Sequence, residues 1–227
     1  MITAETRLVA LVGHPVAGSL SPRMQNAAFA ARGLDWAYVA LAVAPADLET
    51  AVRGLAAAGF AGANVTAPHK LAAAALAETD LASVNTLVFD RGTIRGHSTD
   101  AAVVDGITAE RPVVIGDGGA ARAFSDALPG ARTYARRSDW PPEVEDADLI
   151  VNATPVRDEA LVRLAAGQTL IDLPYPDTAT AIAAREAGAR VIGGLEVLVA
   201  QGAAAFELWT GLPAPIDVMR RAVGLPT

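Results

Sequence analysis

An α/β fold organised as two lobes is predicted from three observations. Short apolar runs alternate with alanine-rich stretches of helical length along nearly all of the 227 residues. That alternation is the pattern of parallel strands joined by helices packed on both faces of a sheet. One apolar run passes directly into a glycine-rich turn, "GDGGAARA" at 116–123, and then into a helix. The length exceeds what one small core needs and suits two compact units.

The elements follow in order. A strand is expected over 8–12. Ser21 reads as the N-cap of a helix over 22–32, with Pro22 at the first helical position. A strand over 38–43 leads to a helix over 47–58, ended by Gly59. Gly62–Val65 is a third strand and 69–77 a helix. The runs 84–90 and 93–96 form a hairpin across Arg91-Gly92. A second unit begins near Arg111, with a strand over 113–115, the glycine turn and a helix over 120–128. Strands over 131–134, Leu149–Asn152 and 169–173 come next. Pro141-Pro142 marks a tight connection between two of them, not a flexible linker. A helix over 179–188, a short strand over 191–192, a long helix over 195–210 and a last helix over 216–223 complete the chain. In the long helix, Leu195, Leu198, Val199, Phe206 and Trp209 form a stripe that reads as core.

Composition narrows the function. Hydrophobic residues make up 52% of the chain, enough to bury a core and to exclude disorder. Lys+Arg number 18 against 25 Asp+Glu, a net charge of −7. That balance argues against a nucleic-acid partner but permits an anionic ligand held by a few local cations. There is no cysteine, which removes disulfides, thiolate nucleophiles and cysteine–zinc sites and fits a cytoplasmic setting. No apolar run approaches membrane-spanning length, so no membrane partner is expected. The segment around Glu5 lacks the basic-then-apolar order of a secretion signal. His14, His69 and His97 fit no ligand spacing, so no metal is expected. His69 reads either as a surface histidine or as a neighbour that tunes Lys70.

The glycine turn has the spacing G-x-G-x-x-A between a strand and a helix, the context of a dinucleotide site. Gly116 permits the tight turn, Gly118 lets a pyrophosphate approach the backbone, and Ala121 lets the helix sit close to the strand. The amides of Gly119 and Ala120 open the helix and suit phosphate. Asp117 places a carboxylate beside the pyrophosphate, unfavourable unless it points away. About 20 residues after such a turn, an NAD site carries an acid for the ribose hydroxyls. This chain has Arg136 and Arg137 there. Two guanidinium groups suit a 2′-phosphate by charge and by fork geometry, so NADP(H) is the expected cofactor. Trp140, nearby, reads as packing, with cover for the adenine as the other reading.

In the first lobe, polar groups gather in short stretches. "GHPVAGSLSP" (13–22) offers Ser19 and Ser21, and "GANVTAPHK" (62–70) offers Asn64, Thr66 and Lys70. "SVNTL" (83–87) adds Asn85 and Thr86, and "GHSTD" (96–100) adds Thr99 and Asp100. Hydroxyls, amides, one lysine and one aspartate together suit a small carboxylated polyol.

These stretches, with "GDGGAARA", "NATP" (152–155), "DLPY" (172–175) and "GGLEVLVAQGAAAFELWTG" (193–211), run in the order of the shikimate dehydrogenase family. The chain resembles that family over nearly its whole length. The resemblance implies a substrate-binding domain over 1–101, a Rossmann-type NADP-binding domain over 102–194, and C-terminal helices over 195–227 that return to the substrate domain. It implies an oxidoreductase of aromatic amino-acid biosynthesis that interconverts 3-dehydroshikimate and shikimate with NADPH. By motif, Lys70 and Asp100 match the catalytic pair. Ser19 and Ser21 match the groups that hold the substrate carboxylate. Thr66, Asn85 and Gln201 match those that bind its hydroxyls and carboxylate, and Tyr175 matches a pocket tyrosine. Asn152 and Thr154 fall in the loop beneath the nicotinamide, and Gly194 falls with the cofactor-side residues. The sequence departs from the family at Gly18 and Gln25, where histidines are usual, and at His69, Leu71, Ser98, Asp117 and Val197. It is short between Lys70 and Asn85 and between Arg137 and Asp148. A paralogue acting on quinate or an amino-shikimate, and a catalytically weak NADP-binding regulator, are the readings left beside the first.

Overall fold

The computed structural model describes residues 2–227. Among them, ten strands form two five-stranded sheets. Each sheet centres a compact unit, one holding the chain up to Thr99 with Val199–Thr227, the other Asp100–Leu198.

The first unit is built from β1 (Arg7–Gly13), α1 (Ser21–Ala31), β2 (Trp36–Ala42), α2 (Leu48–Ala57), β3 (Gly62–Val65), α3 (Lys70–Ala74), β4 (Thr86–Asp90) and β5 (Thr93–His97). Its strand order is β2-β1-β3-β4-β5. β1 runs parallel to β2 and β3, whereas β4 and β5 are antiparallel. The sheet is therefore mixed. Arg91-Gly92 is too short for a parallel crossover, and both residues hold positive φ, 46° and 89°, as a tight hairpin turn requires. Val9, Ala10 and Val12 of β1 and Ala63 and Val65 of β3 are buried, so the central strands carry the core.

Two expectations need correction here. Ser21 is the first residue of α1 and not its N-cap. Leu20 occupies the cap position, in a helical conformation with no side-chain cap. Ser19 instead supplies the hydroxyl, its Oγ accepting the Ser21 N–H at 3.2 Å. The helix expected over 69–77 is only Lys70–Ala74 long. Glu78 is drawn into a bridge with β5, donating to Ile94 O at 2.7 Å, and this pulls the preceding residues out of helical geometry.

The second unit contains β6 (Pro112–Ile115), α4 (Gly119–Ala127), β7 (Arg132–Tyr134), β8 (Leu149–Asn152), β9 (Thr169–Asp172), α5 (Ala179–Glu186) and β10 (Arg190–Ile192). The order β10-β9-β8-β6-β7 is parallel throughout. A 3₁₀ helix at Asp100–Val104, which the sequence did not announce, packs on α4. The division between units falls inside α6 (Gly194–Thr210), and α7 (Ile216–Ala222) follows. In the first unit, Phe206 of α6 stacks on Phe29, and Trp209 donates its indole N–H to Leu87 O at 3.0 Å, so that part of the stripe is core. Among the described residues no helix is long and apolar enough to cross a membrane.

Candidate substrate and cofactor sites

In each sheet one strand is flanked by neighbours whose connections depart in opposite directions. The loops at the carboxyl ends there diverge and leave a crevice, where open α/β sheets bind ligands. In the first unit that point is β1, between β2 and β3. The loop after β1 and the loop after β3 are tied together, His14 N–H donating to Ala67 O at 3.1 Å and Thr66 N–H to Val12 O at 2.9 Å. This end carries Ser19 and Thr66, both half-buried, and buried Ser21. Half-buried Lys70 opens α3, its carbonyl accepting Val84 N–H at 3.0 Å. Because β4 and β5 are antiparallel, the start of β4 and the end of β5 come to the same edge. Val65 N–H donates to Asn85 O at 2.8 Å, and Asn85 N–H to His97 O at 3.1 Å.

A buried amide–hydroxyl network lies there. The Tyr38 hydroxyl donates to Asn64 Oδ1 at 2.8 Å, and Asn64 Nδ2 donates to Thr86 Oγ1 at 3.0 Å. Asn85 Oδ1 accepts the Thr99 N–H at 2.7 Å, while its Nδ2 donates to Thr99 Oγ1 at 3.0 Å. A satisfied buried network fixes the loops it joins. Asn64 is thus scaffold for Asn85 and Thr99. Tyr38 was not singled out in the sequence, where it is one aromatic in an apolar strand. His69 is only 2% exposed, with Nε2 2.8 Å from Val43 O, so it is a core residue and not a surface histidine. Burial, followed by Arg95, lowers the His97 pKa. Gln201 is half-buried on α6. Its neighbour Gly202 accepts the side-chain N–H of fully buried Gln25 at 2.8 Å, so this departure from the family pattern ties α1 to α6.

In the second unit the point of reversal is β6, between β7 and β8. Gly116 has φ of 137°, and an added Cβ would stand 3.1 Å from Ala153 O and 3.3 Å from the Ala121 methyl. Only glycine serves there, and Ala121 provides the close approach expected of it. Gly118 precedes α4 with no side-chain cap and with open space at its Cβ position. The first amides of α4, including those of Gly119 and Ala120, therefore suit a phosphate, as a dinucleotide requires. A pocket of about 170 Å³ lies beside this turn, bordered by Gly116, Asp117, Arg136, Arg137, Trp140 and Thr154. Asp117 is exposed and borders the same pocket as Arg136 and Arg137. The Arg136 guanidinium lies 5.2 Å from the Trp140 ring centroid, and its Nη2 is 2.6 Å from Glu159 Oε2. Glu159 carried no signal in the sequence.

The loop after β8 is organised by Asn152, fully buried. Its Oδ1 accepts the Thr154 N–H at 3.1 Å and the Thr154 hydroxyl at 2.8 Å. Its Nδ2 donates to Asp172 Oδ1 at 2.7 Å, and the Thr178 hydroxyl donates to Asp172 Oδ2 at 2.9 Å. Burial pushes the Asp172 carboxyl above its ordinary value, outweighing these donors. In the sequence Asp172 stood only as the first residue of "DLPY", with no role assigned. Half-buried Tyr175 lies just beyond it. Gly194 is buried, and a Cβ there would fall 2.3 Å from Pro174 O and 2.5 Å from Leu173 O, so the start of α6 presses on this loop. Asp100 is buried at the head of its 3₁₀ helix. Among the described residues no group of three or more His, Cys, Asp or Glu could hold a metal ion.

Comparison with known proteins gives two family matches. Residues 11–87 match the shikimate dehydrogenase substrate binding domain, and residues 194–223 match the shikimate 5′-dehydrogenase C-terminal domain. The chain is 41% identical over 271 aligned residues to a shikimate dehydrogenase (NADP(+)) of Anaeromyxobacter dehalogenans, covering 98% of each chain. That alignment is longer than the 227 residues here, so the relative holds segments this chain lacks. Among solved structures, shikimate dehydrogenase from Aquifex aeolicus superposes with a TM-score of 0.90 at 31% identity, over 99% of this chain and 100% of that one. The Thermus thermophilus enzyme, solved in complex with NADP(H) and shikimate, gives 0.85 at 30% identity, over 95% and 98%. With a relative 41% identical over 98% of its length, the chain belongs to the shikimate dehydrogenase family.

Proposed function

We propose that this chain catalyses the reversible NADP-dependent reduction of 3-dehydroshikimate to shikimate. The observation that carries the reading is the full-length 41% identity to a shikimate dehydrogenase (NADP(+)). In this reading residues 1–101 bind substrate, 102–194 bind cofactor, and 195–227 complete the substrate domain. The enzyme works in the cytoplasm, as the cysteine-free composition suggests.

When bound, NADPH supplies the hydride. A ketone that accepts a hydride must gain a proton at oxygen. Lys70 is assigned as the donor, its ammonium also countering negative charge that develops there. Asp100 is its partner and orients it. Ser19 and Ser21 hold the substrate carboxylate, and Thr66, Asn85, Gln201 and Tyr175 fix the ring. The network on Asn64 and Thr99 supports this by removing freedom from Asn85 before substrate arrives. Gly116, Gly118, Gly119 and Ala120 take the pyrophosphate, and Arg136 and Arg137 take the 2′-phosphate. Asn152 and Thr154 shape the loop at the nicotinamide end, and Gly194 packs against Leu173 and Pro174 in the loop after β9. The test is oxidation of NADPH on addition of 3-dehydroshikimate. Substrate-dependent oxidation supports the reading, and its absence from protein that binds NADPH overturns it.

A further inference from the structure

Arg136 stands between two groups that nothing in the dinucleotide pattern calls for. Its guanidinium lies against the face of Trp140, 5.2 Å from the ring centroid. The turn that presents Arg136 is closed by Ser138 N–H donating to Ala135 O at 3.0 Å, and the Trp140 indole follows it, 37% exposed. One nitrogen of the guanidinium is held by Glu159 at 2.6 Å, and both side chains are more than half exposed. The contact uses Nη2 alone, which leaves the other guanidinium donors for a second anion. The same arginine borders the pocket beside the glycine turn.

We propose that Glu159 is a specificity-determining residue that weakens this chain's preference for NADP over NAD, by holding the guanidinium that would receive the 2′-phosphate. This rests on the cofactor reading above. A phosphomonoester arriving at Arg136 meets a cation already paired with a carboxylate. It must displace Glu159 or share the guanidinium at close range, and like charges at such distances repel. A 2′-hydroxyl carries no charge and meets no such opposition. Trp140 favours the paired position, because a guanidinium lying on its face loses that contact if it swings away from Glu159.

The test uses adenosine 2′,5′-bisphosphate and adenosine 5′-monophosphate, titrated by calorimetry into the full chain, so that neither nicotinamide nor substrate is involved. Glu159→Gln keeps the shape and removes the charge. It should tighten the bisphosphate by about three- to tenfold and leave the monophosphate unchanged. The gain should shrink as salt rises from low to physiological strength. In an Arg136→Ala background, Glu159→Gln should change neither affinity. Unchanged or weaker bisphosphate binding by Glu159→Gln, with the native chain still preferring the bisphosphate, overturns the proposal alone. In that case Glu159 orients Arg136 instead of competing for it. If the native chain binds both fragments equally, the 2′-phosphate reading of Arg136 fails and this proposal falls with it.

Discussion

Replacing Asp172 with asparagine tests whether the two loops at the carboxyl ends of β8 and β9 are held by one buried carboxyl group. Asp172 is 1% exposed, and its two donors, Asn152 and Thr178, are fully buried. Thr178 Oγ1 already accepts the Ala181 N–H at 3.1 Å as the cap of α5, so its hydroxyl hydrogen is committed to the carboxylate. An amide offers one acceptor oxygen where two are used, and turns its NH₂ toward a donor. Leaving one buried donor without its carboxyl oxygen costs about 1–3 kcal/mol at any pH, and near neutral pH relief of the buried charge offsets part of it. A net loss of about 1–2 kcal/mol corresponds to a Tm lower by roughly 2–8 °C for a chain of this size. The pH dependence follows from the raised carboxyl pKa. The folded state holds this proton more readily than the unfolded chain, so the contribution is fully present below the ordinary value of 3.8 and is lost as pH rises through the raised one. The gap between native chain and variant should therefore widen as pH is lowered from 8 toward about 4.5. Thermal melts of both proteins across that range measure it. Equal Tm values at every pH, or a gap that closes in acid, would refute the reasoning.

Three further outcomes are expected. Lys70→Ala should fold and bind NADPH normally while kcat drops by about 10²–10⁴-fold, the usual contribution of a positioned acid; near-native turnover removes Lys70 from the role. Arg136→Ala should weaken NADPH by about 1.5–3 kcal/mol and NADH far less, read by direct titration of each; equal effects dissolve the 2′-phosphate argument. For His97, whose pKa burial lowers, the unfolded chain binds the proton more readily, so stability is present above about pH 6.5 and declines as pH falls through the lowered value. His97→Gln should flatten that decline in urea titrations, and an unaltered slope assigns it elsewhere.

Much of the fold was legible because its signals are local. Gly62–Val65 and Leu149–Asn152 coincide with the strands expected from apolar runs between turn residues. The glycine turn, with positive φ at Gly116 and tight packing on Ala121, is a steric requirement written into residue type. What escaped depends on partners distant in sequence. α3 stops early because Glu78 pairs with Arg95, and Ser21 loses its capping role to Ser19 because Leu20 is already helical. His69 is buried with its ring nitrogen on the carbonyl of Val43, 26 residues away, so its placement could not be read from its exposed neighbours. Glu159 meets Arg136 from 23 residues away, with β8 between them, and no spacing rule reaches that far. Asn64 shows the intermediate case. Its polarity in a buried strand marked it as special, but only the structure assigns it to the scaffold, between Tyr38 and Thr86.

The most direct measurement mixes the purified chain with shikimate or quinate and with NADP or NAD, and follows absorbance of the reduced nicotinamide. The account predicts the highest kcat/KM for shikimate with NADP. Turnover confined to quinate, or none with any pair from protein that binds NADPH, would contradict it.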